Sequence, residues 1–517
     1  MLVAGSLFSR TLGATYRLIL PILMGGGRQA AVGMGLFQFA YPIFTVLVTL
    51  ITTGFPLAVS KMVSEHLAAG QPAAARRVVR VASVALPVSG LALAAALWVL
   101  APTLARHLAG DPRAALSMRA IAPAIFTVSF ASAYRGAFQG MEDMAPYAVS
   151  QVVEQIGRIL TMFALVILLL PRGLGWAAAG ASFGATVGGV FATATITALW
   201  LRRGRGRLGL GGVAPMAPHA LGQLLRLAVP MALAATLLPL LNLADAAIVP
   251  LRLREAGLGA QAIALYGVLT GYAAPLVLAP TVFTSALAMS LLPAVSAVLA
   301  SGDRSGAGRR AASGLRLAGL FALPAATGLA LLAGPLPMLL FHSAAARRPL
   351  EALAPALLFL SLQQTSSGVL QALGRPDLPM RNLAVGGALK VVVAWVLVGL
   401  PAWNVTGAAL STTLAFAVAC VLNLRTAAHL LPGSVDWRGM TFRPLCATAL
   451  MALAVLVLVH LAGASAALAV ALGVVGGAAV YGVALLALRA LRREEVELLP
   501  RVGGSWAVAL DRLGLIR

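Results

Sequence analysis

Residues 444–488 read PLCATALMALAVLVLVHLAGASAALAVALGVVGGAAVYGVALLAL, without one Asp, Glu, Lys or Arg. A helix needs roughly 20 apolar residues to cross the hydrocarbon core of a bilayer, so the stretch is long enough for two crossings. It lacks the period-2 alternation of a barrel strand, and lipid offers no hydrogen-bond partner to an open backbone. The stretch therefore predicts a pair of transmembrane helices.

The rest of the chain has the same character. Of its 517 residues, 60% are hydrophobic and 10% are charged, and the mean hydropathy is +0.94, whereas soluble domains are about 25% charged. Windows of suitable length number about fourteen: six within 2–201, six within 222–424 and two within 444–488. We therefore predict an all-α integral membrane protein with two parallel six-helix bundles and a C-terminal helix pair.

The arginine distribution predicts the domain limits and the orientation. A net charge of +23 would suggest nucleic acid as the partner of a soluble protein, but here the arginines lie mostly in short loops, where the positive-inside rule explains them. It places both termini in the cytoplasm. The predicted segments are an N-terminal bundle at 1–201, a basic cytoplasmic linker at 202–221, a C-terminal bundle at 222–430, a helix pair at 431–490 and a cytoplasmic tail at 491–517.

Two further features of the composition predict the cellular location and the absence of a metal or cofactor. Lysine occurs only at Lys61 and Lys390 among many arginines, a bias typical of GC-rich bacterial genomes, so we expect a bacterial plasma membrane. Cys420 and Cys446 have no CxxC spacing, so neither a disulfide framework nor a zinc site is indicated, and we predict no metal and no cofactor.

An internal repeat links the two bundles. An offset of 232 positions aligns several distinctive residues: Gly35 with Gly267, Pro123 with Pro355, Gly136 with Gly368, Arg158 with Lys390 and, after a five-residue shortening, Trp176 with Trp403 and Gly180 with Gly407. Six spans is an even number, so the copies share one orientation, as in parallel-repeat transporters. Such proteins hold their substrate between the halves and work by alternating access.

Arginines occur inside the predicted first span. Arg10 and Arg17 are seven residues apart and therefore on one helix face, and a central arginine costs roughly 2.5–3.5 kcal/mol on insertion scales. Such residues line a wet cavity or pair with an acid. The alternatives here are cavity lining and pairing with Asp245.

Later spans carry further charges. Glu154 and Arg158 are four residues apart on the fifth span, where such a pair can neutralise itself. Lys390 lies mid-span with no acidic residue within a helical turn and is the stronger functional candidate. We predict that Arg10, Arg17, Arg158 and Lys390 bind substrate, so the cavity is net cationic and its guest is an anion. A site for cationic drugs would have the opposite sign.

The remaining features have two interpretations each. Five further charged residues are either gating and ion-pair contacts or ordinary interfacial and neutralising charges. They are Lys61, Glu65 and Arg135, and, deeper in the spans, Glu154 and Asp245. The helix pair at 444–488 is either a lipid-facing hairpin or a groove for a long lipid tail, and Gly473 and Gly477 form a small-xxx-small step suited to close packing.

Three motifs resemble one superfamily. They are SRTLG at 9–13, GFPLAVSK at 54–61 and YRGAFQGMEDM at 134–144, the last followed by Pro146, Ser150-Gln151 and Glu154-Gln155. They resemble the multidrug/oligosaccharidyl-lipid/polysaccharide exporters, on the branch of stage V sporulation protein B and the MurJ-like lipid II flippases. The resemblance implies six plus six plus two spans, outward flipping of an undecaprenyl-pyrophosphate-linked sugar, and a role for first-span arginines. Arg10 matches such an arginine directly, whereas Arg17 is one position later and is followed by Leu18 in place of an acid.

Four functions are compared on this basis. The first is a flippase for a lipid-linked peptidoglycan precursor or polysaccharide, with the bilayer and a lipid-linked pyrophosphate glycan as partners and a cell-wall polymerase as an open candidate partner. The second is a cation-coupled multidrug exporter, which a cationic cavity disfavours. A membrane glycosyltransferase would need catalytic carboxylates in a long loop, and no loop is long enough, so we predict no enzyme. A non-transporting cell-wall scaffold should tolerate alanine at its deep charges.

Overall fold

The computed structural model describes Gly13 and residues 16–204 and 218–490 of the chain. Residues 16–23, the described end of the predicted first span, are helical. Most of that span, including Arg10, lies outside the described residues. The same holds for most of the predicted basic linker and for the predicted C-terminal tail.

The described residues form helices, and there is no strand among them. The helices before the linker are α1 (Gly27–Thr52), α2 (Gly54–Ala68), α3 (Pro72–Leu104), α4 (Ala114–Gly140), α5 (Met144–Leu169) and α6 (Leu174–Leu199). Those after it are α7 (Pro218–Leu253), α8 (Ala262–Gly267), α9 (Ala274–Leu278), α10 (Thr281–Ala300), α11 (Arg304–Leu331), α12 (Pro335–Phe341), α13 (Arg347–Ala372), α14 (Asp377–Val398), α15 (Asn404–Leu430), α16 (Trp437–Leu461) and α17 (Ala466–Ala487).

The fold class is confirmed, whereas the number of spans is not settled at fourteen. Within the described part of the chain, twelve helical segments are long and apolar enough to cross a membrane. Helix α13 is not one of them, although residues 352–373 were predicted to span, because it carries Gln363, Gln364 and neighbouring hydroxyl residues. The predicted span 263–292 is interrupted after Leu278, since Pro280 has no backbone N–H to continue a helix.

The chain divides into two compact units, residues 1–271 and residues 272–517. This division differs from the predicted bundle limit at 202–221, because α7 and α8 pack against α1 and α2 within the first unit. At one of these contacts, a Cβ on Gly54 would overlap the carbonyl oxygen of Ala228 on α7. Close backbone contact thus ties the helix after the linker to the first unit.

The contact between α1 and α8 is symmetric under the repeat offset. A Cβ on Gly35 would overlap the carbonyl oxygen of Ile263, and a Cβ on Gly267 would overlap that of Ala31. Both pairs, Gly35 with Gly267 and Ala31 with Ile263, are separated by 232 positions in the sequence. Only glycine allows two helix backbones to approach so closely, which explains why both copies keep it.

The same hydrogen bond occurs in each unit at the predicted register. The hydroxyl of Thr186 donates to the carbonyl oxygen of Ala120 at 2.8 Å in the first unit. In the second unit, the hydroxyl of Thr413 donates to the carbonyl oxygen of Ala352 at 2.7 Å. Ala120 and Ala352 are 232 positions apart. Thr186 and Thr413 are five positions closer than that, the same shortened offset that aligns Trp176 with Trp403. This agreement supports a true duplication.

Glycine contacts between helices recur in the same way. A Cβ on Gly136 would lie 2.7 Å from the Pro56 carbonyl oxygen, and one on Gly368 would lie 2.8 Å from that of Ala288, the residue 232 positions after Pro56. Each copy therefore packs the helix that carries this glycine, α4 or α13, against the equivalent neighbouring helix, α2 or α10.

The last two helices, α16 and α17, pack against each other and against α11 and α12. The hydroxyl of Tyr481 donates to the carbonyl oxygen of Leu320 at 2.7 Å. Gly477 meets Val455 on the partner helix, and Gly473 meets Leu332, so the small-xxx-small step makes the predicted close contacts. Large apolar side chains on the outer faces are exposed, which fits a lipid-facing hairpin.

Candidate functional site

Arg158 is the more deeply buried of the two predicted substrate-binding arginines that the structure describes, Arg17 and Arg158. It lies on α5 and is 8% exposed. Its Nη2 donates to the phenolic oxygen of Tyr16 at 3.4 Å, and its guanidinium carbon lies 5.5 Å and 5.2 Å from the ring centres of Tyr16 and Tyr41. Arg158 is therefore held by aromatic rings, through cation–π contacts.

Arg17 contacts the same two tyrosines. Its Nε donates to the Tyr16 hydroxyl at 3.5 Å, and its guanidinium carbon lies 6.0 Å from the Tyr16 ring centre and 5.5 Å from that of Tyr41. We call Tyr16, Arg17, Tyr41 and Arg158 the arginine–tyrosine cluster. Its members come from residues 16–23 and the adjacent helix α1, and from α5, which is distant from both in sequence.

The cluster concentrates positive charge. Both donating nitrogens lie within hydrogen-bond distance of one oxygen, so they are at most about 7 Å apart, where unit charges repel by roughly 2 kcal/mol at an effective dielectric constant of about 20. Neither arginine forms an ion pair with a carboxylate of the described residues. The Nε of Arg158 is also buried without a hydrogen-bond partner there. Such an arrangement suits an anionic ligand, which would offset the repulsion and accept the remaining N–H groups.

Glu154 forms its salt bridge with Arg135 and not with Arg158, the alternative that the sequence left open. The Nη2 of Arg135 lies 2.8 Å from the Glu154 carboxylate, and its Nε donates to the hydroxyl of Ser150 at 3.0 Å. The i,i+4 spacing favoured Arg158, but Arg135 on α4 reaches Glu154 across the helix interface. Because Glu154 pairs with Arg135, Arg158 contacts the two tyrosines and not this carboxylate.

The second copy has a neutral network where the first has this ion pair. Asn382 donates to Asn423 at 2.9 Å, and Asn423 donates to the hydroxyl of Ser367 at 3.0 Å. In the repeat register, Ser367 corresponds to Arg135, Asn382 to Ser150 and Gly386 to Glu154. Sequence analysis missed this network, although the offset of 232 would have located it.

The remaining predicted residues are separate from the cluster or outside the described chain. Lys61 and Glu65 form a 3.8 Å pair on α2 with side chains 59% and 62% exposed, which favours an ordinary interfacial pair. Lys390 is 4% exposed on α14 of the second unit and takes part in a polar interaction. Asp245 is half-buried on α7 and also interacts. A shared cavity for Arg10, Arg17, Arg158 and Lys390 stays a prediction.

Tyr16 and Tyr41 are the members of the cluster that sequence analysis missed. Both stand among apolar residues, and Tyr16 is almost fully buried. A buried tyrosine hydroxyl requires a polar partner, and Tyr16 directly precedes Arg17. That combination was the available signal.

A helical fold with many apolar spans and a buried basic cluster defines a multi-pass membrane protein of the flippase and exporter class. The family model described as polysaccharide biosynthesis protein matches residues 1–299, more than half of the chain, and the MatE model matches residues 230–396. The chain therefore belongs to the polysaccharide biosynthesis protein family. The resemblance to the multidrug/oligosaccharidyl-lipid/polysaccharide superfamily, on its lipid II flippase branch, is confirmed.

Three individual comparisons agree with this placement. Stage V sporulation protein B of Bacillus subtilis (strain 168) is 26% identical over 508 residues, with 97% of each chain covered. The lipid II flippase MurJ of the same organism is 28% identical over 437 residues, covering 80% of this chain and 79% of the relative. A solved structure of lipid II flippase MurJ in an inward closed conformation has a TM-score of 0.70 at 13% identity, with 93% of this chain and 97% of that one covered; it shows the fold.

Proposed function

We propose that the protein flips an undecaprenyl-pyrophosphate-linked peptidoglycan precursor, lipid II, or a related polysaccharide intermediate across the bacterial plasma membrane by alternating access. The observation that carries the proposal is the arginine–tyrosine cluster, in which the buried Arg158 and the half-buried Arg17 lie close together and neither pairs with a carboxylate of the described residues. Guanidinium groups bind phosphate oxygens through paired, charge-assisted hydrogen bonds. A pyrophosphate offers several such oxygens and at least two negative charges, so it complements both arginines.

The relatives support the choice of substrate class. A protein named as a lipid II flippase is 28% identical over most of the chain, and the matching family is named for polysaccharide biosynthesis. In the proposed cycle Arg17 and Arg158 bind the pyrophosphate, and Arg10 and Lys390 are further ligands from the first span and the second copy. The two copies would form the rocking halves, with both termini in the cytoplasm.

The membrane potential is the proposed driving force. The cytoplasm is electrically negative, so each negative charge that moves outward gains roughly 2.3 kcal/mol per 100 mV. Coupling to sodium or protons would need a carboxylate that is free to bind the ion. Glu154 is held by Arg135 and Asp245 is engaged in an interaction of its own, so neither suits that role in this conformation.

A multidrug exporter is the second candidate, because the MatE model matches residues 230–396. Exporters of organic cations need anionic or aromatic sites. The arginine–tyrosine cluster supplies aromatic rings, but both rings are already occupied by arginines. The charge of the cluster therefore favours an anionic lipid.

The test is flipping by the purified protein in liposomes. A fluorescent undecaprenyl-pyrophosphate disaccharide is placed in one leaflet, and its transfer is followed while potential, sodium gradient and pH gradient are imposed singly. We expect transfer that depends on the protein and accelerates with potential, and rescue of a bacterial strain depleted of its lipid II flippase. Transfer of cationic dyes but not of the lipid, or a strict requirement for one ion gradient, would contradict the proposal.

A further inference from the structure

The first unit contains an apolar cavity of about 400 Å³ beside the end of α1. Its walls come from α1, α2, α3 and α7, and its larger lining residues are Leu50, Ile51, Phe55, Leu93, Val229 and Leu233. Ser89 is the one polar residue of the lining. The cavity is separate in position and chemistry from the arginine–tyrosine cluster.

The GFPLAVSK motif builds this cavity. Helix α1 ends at Thr52 and α2 begins at Gly54, so the helical conformation is interrupted between these two residues. Because Gly54 has no side chain, the interruption packs directly against the backbone of α7 at Ala228 and Ala232. Phe55 then lines the cavity, and Pro56 meets Gly136 on α4. The motif thus places an apolar space at a fixed point on the first unit.

The cavity and the cluster share helix α1. Tyr41 of the cluster and Leu50 of the cavity both lie on it, nine positions apart, or roughly 14 Å at 1.5 Å per residue. One helix therefore carries a cationic site and, two to three turns further on, an apolar site. A lipid-linked pyrophosphate has the same sequence of chemistry, with an anionic group joined to an aliphatic chain.

The cavity opens at the surface of the protein. Of its lining residues, Leu233 is 61% exposed and Val229 on the same helix is also exposed, as is Ala92 on α3. The opening therefore lies between α3 and α7. In a bilayer, an aliphatic chain would reach the cavity through this opening.

We propose that this cavity binds the part of the substrate's polyprenyl chain that adjoins the pyrophosphate. The inference rests on the proposed function and adds to it a tail site whose lining residues belong to the first unit and not to the C-terminal helix pair. Each buried CH₂ group strengthens binding by roughly fourfold, so even a few isoprenoid carbons would add substantially to the affinity of the charged group. A phospholipid chain is the competing occupant.

The test fills the cavity and measures how affinity depends on chain length. Ala92→Phe places a ring in the cavity, and Ala95→Phe makes the same change at an exposed position of α3 that does not line it. Two probes with the same pyrophosphate-disaccharide are bound to protein in nanodiscs, one on an undecaprenyl chain and one on a short water-soluble alkyl chain. We expect Ala92→Phe to weaken undecaprenyl-probe binding by about tenfold or more, the equivalent of two or more CH₂ groups, and to leave the short probe unchanged. Ala95→Phe should leave both unchanged.

Three results would overturn the tail site. One is equal affinity of Ala92→Phe and wild type for the undecaprenyl probe; another is an equal loss for both probes. The third is crosslinking of a diazirine-labelled phospholipid to Leu50 and Phe55 that excess undecaprenyl probe does not reduce. If wild type binds neither probe, the proposed function itself fails. Ser89→Leu fills the same space from another position and serves if Ala92→Phe does not accumulate.

Discussion

Replacing Arg158 by glutamine should separate substrate binding from stability. The side chain is buried beside a second guanidinium that shares the Tyr16 hydroxyl, and the pair repels by roughly 2 kcal/mol at the separation set by that shared oxygen. Arg158→Gln removes one charge and this repulsion, while it gives up cation–π contacts worth about 0.5–2 kcal/mol each. Two such contacts are worth about 1–4 kcal/mol together, so we expect the free energy of unfolding to change by no more than about 2 kcal/mol.

The effect on substrate binding follows from the hydrogen bonds that the guanidinium would donate. A hydrogen bond to a charged group contributes about 1.5–3 kcal/mol, and 1.4 kcal/mol corresponds to a factor of ten in binding. Arg158→Gln should therefore weaken binding of an undecaprenyl-pyrophosphate glycan by roughly 10- to 100-fold. Flipping at low substrate concentration should fall in proportion, and raised substrate concentration should restore part of it.

The assay is lipid flipping in proteoliposomes, with thermal unfolding in detergent measured on the same preparations. Arg119→Gln is the matched control, because Arg119 also makes a cation–π contact, 5.8 Å from the ring centre of Trp98, but is only half-buried. The control should flip as wild type does. If Arg158→Gln flips normally, or if it loses activity only in step with a large fall in unfolding temperature, the assignment of Arg158 to substrate binding is wrong.

Three other substitutions test the contacts around this site. Arg135→Gln leaves the Glu154 carboxylate mostly buried without a partner and should lower the free energy of unfolding by roughly 3 kcal/mol or more, whereas adding Glu154→Gln should restore most of it in denaturation experiments. Gly267→Ala should greatly reduce membrane abundance on immunoblots because its Cβ would overlap the α1 backbone, while Gly222→Ala, which meets nothing within 4 Å, should not. Tyr16→Phe should reduce flipping only a few-fold because its hydrogen bonds are long, and Tyr16→Leu should reduce it further because it removes the ring that holds both arginines; equal effects of the two would contradict this.

The sequence was sufficient to predict the fold class because a chain that crosses lipid has few possible backbone structures. Long apolar runs in lipid must be helical, and the helices lie where those runs were found. Residues 352–373 were predicted to span, and α13 is helical there, but it is not apolar enough to count among the twelve candidate spans of the described chain. Its polarity faces other helices, since the backbone carbonyl oxygen of Gln363 accepts a hydrogen bond from Asn423 on α15 at 3.3 Å. The limit of the first compact unit depends on backbone contacts at Gly54, which no periodicity reveals.

For the site, the sequence identified charges but not their partners. The cost of burying Arg17 and Arg158 marks them as unusual in any bilayer protein. Whether Glu154 pairs with Arg158 or with Arg135 depends on how α4 packs against α5. This is a tertiary property, and the i,i+4 rule considers only one helix. The tyrosines were missed because a phenol on an apolar helix has the same sequence pattern whether it fills space or holds a cation.

Comparison of the two copies gives an argument for which charge serves function. The repeat aligns four positions of α4 and α5 with the second copy: Arg135, Ser150, Glu154 and Arg158. In the second copy the first three are the neutral residues Ser367, Asn382 and Gly386, whereas the fourth is still a cation, Lys390. The neutral network around Asn423 shows that these helices pack without an ion pair, so packing alone does not require charge there. A buried cation is costly and does nothing for packing that a neutral residue could not do. Its presence at equivalent positions of both copies therefore favours a role in binding an anion, and makes Arg158 and Lys390 the pair to test together.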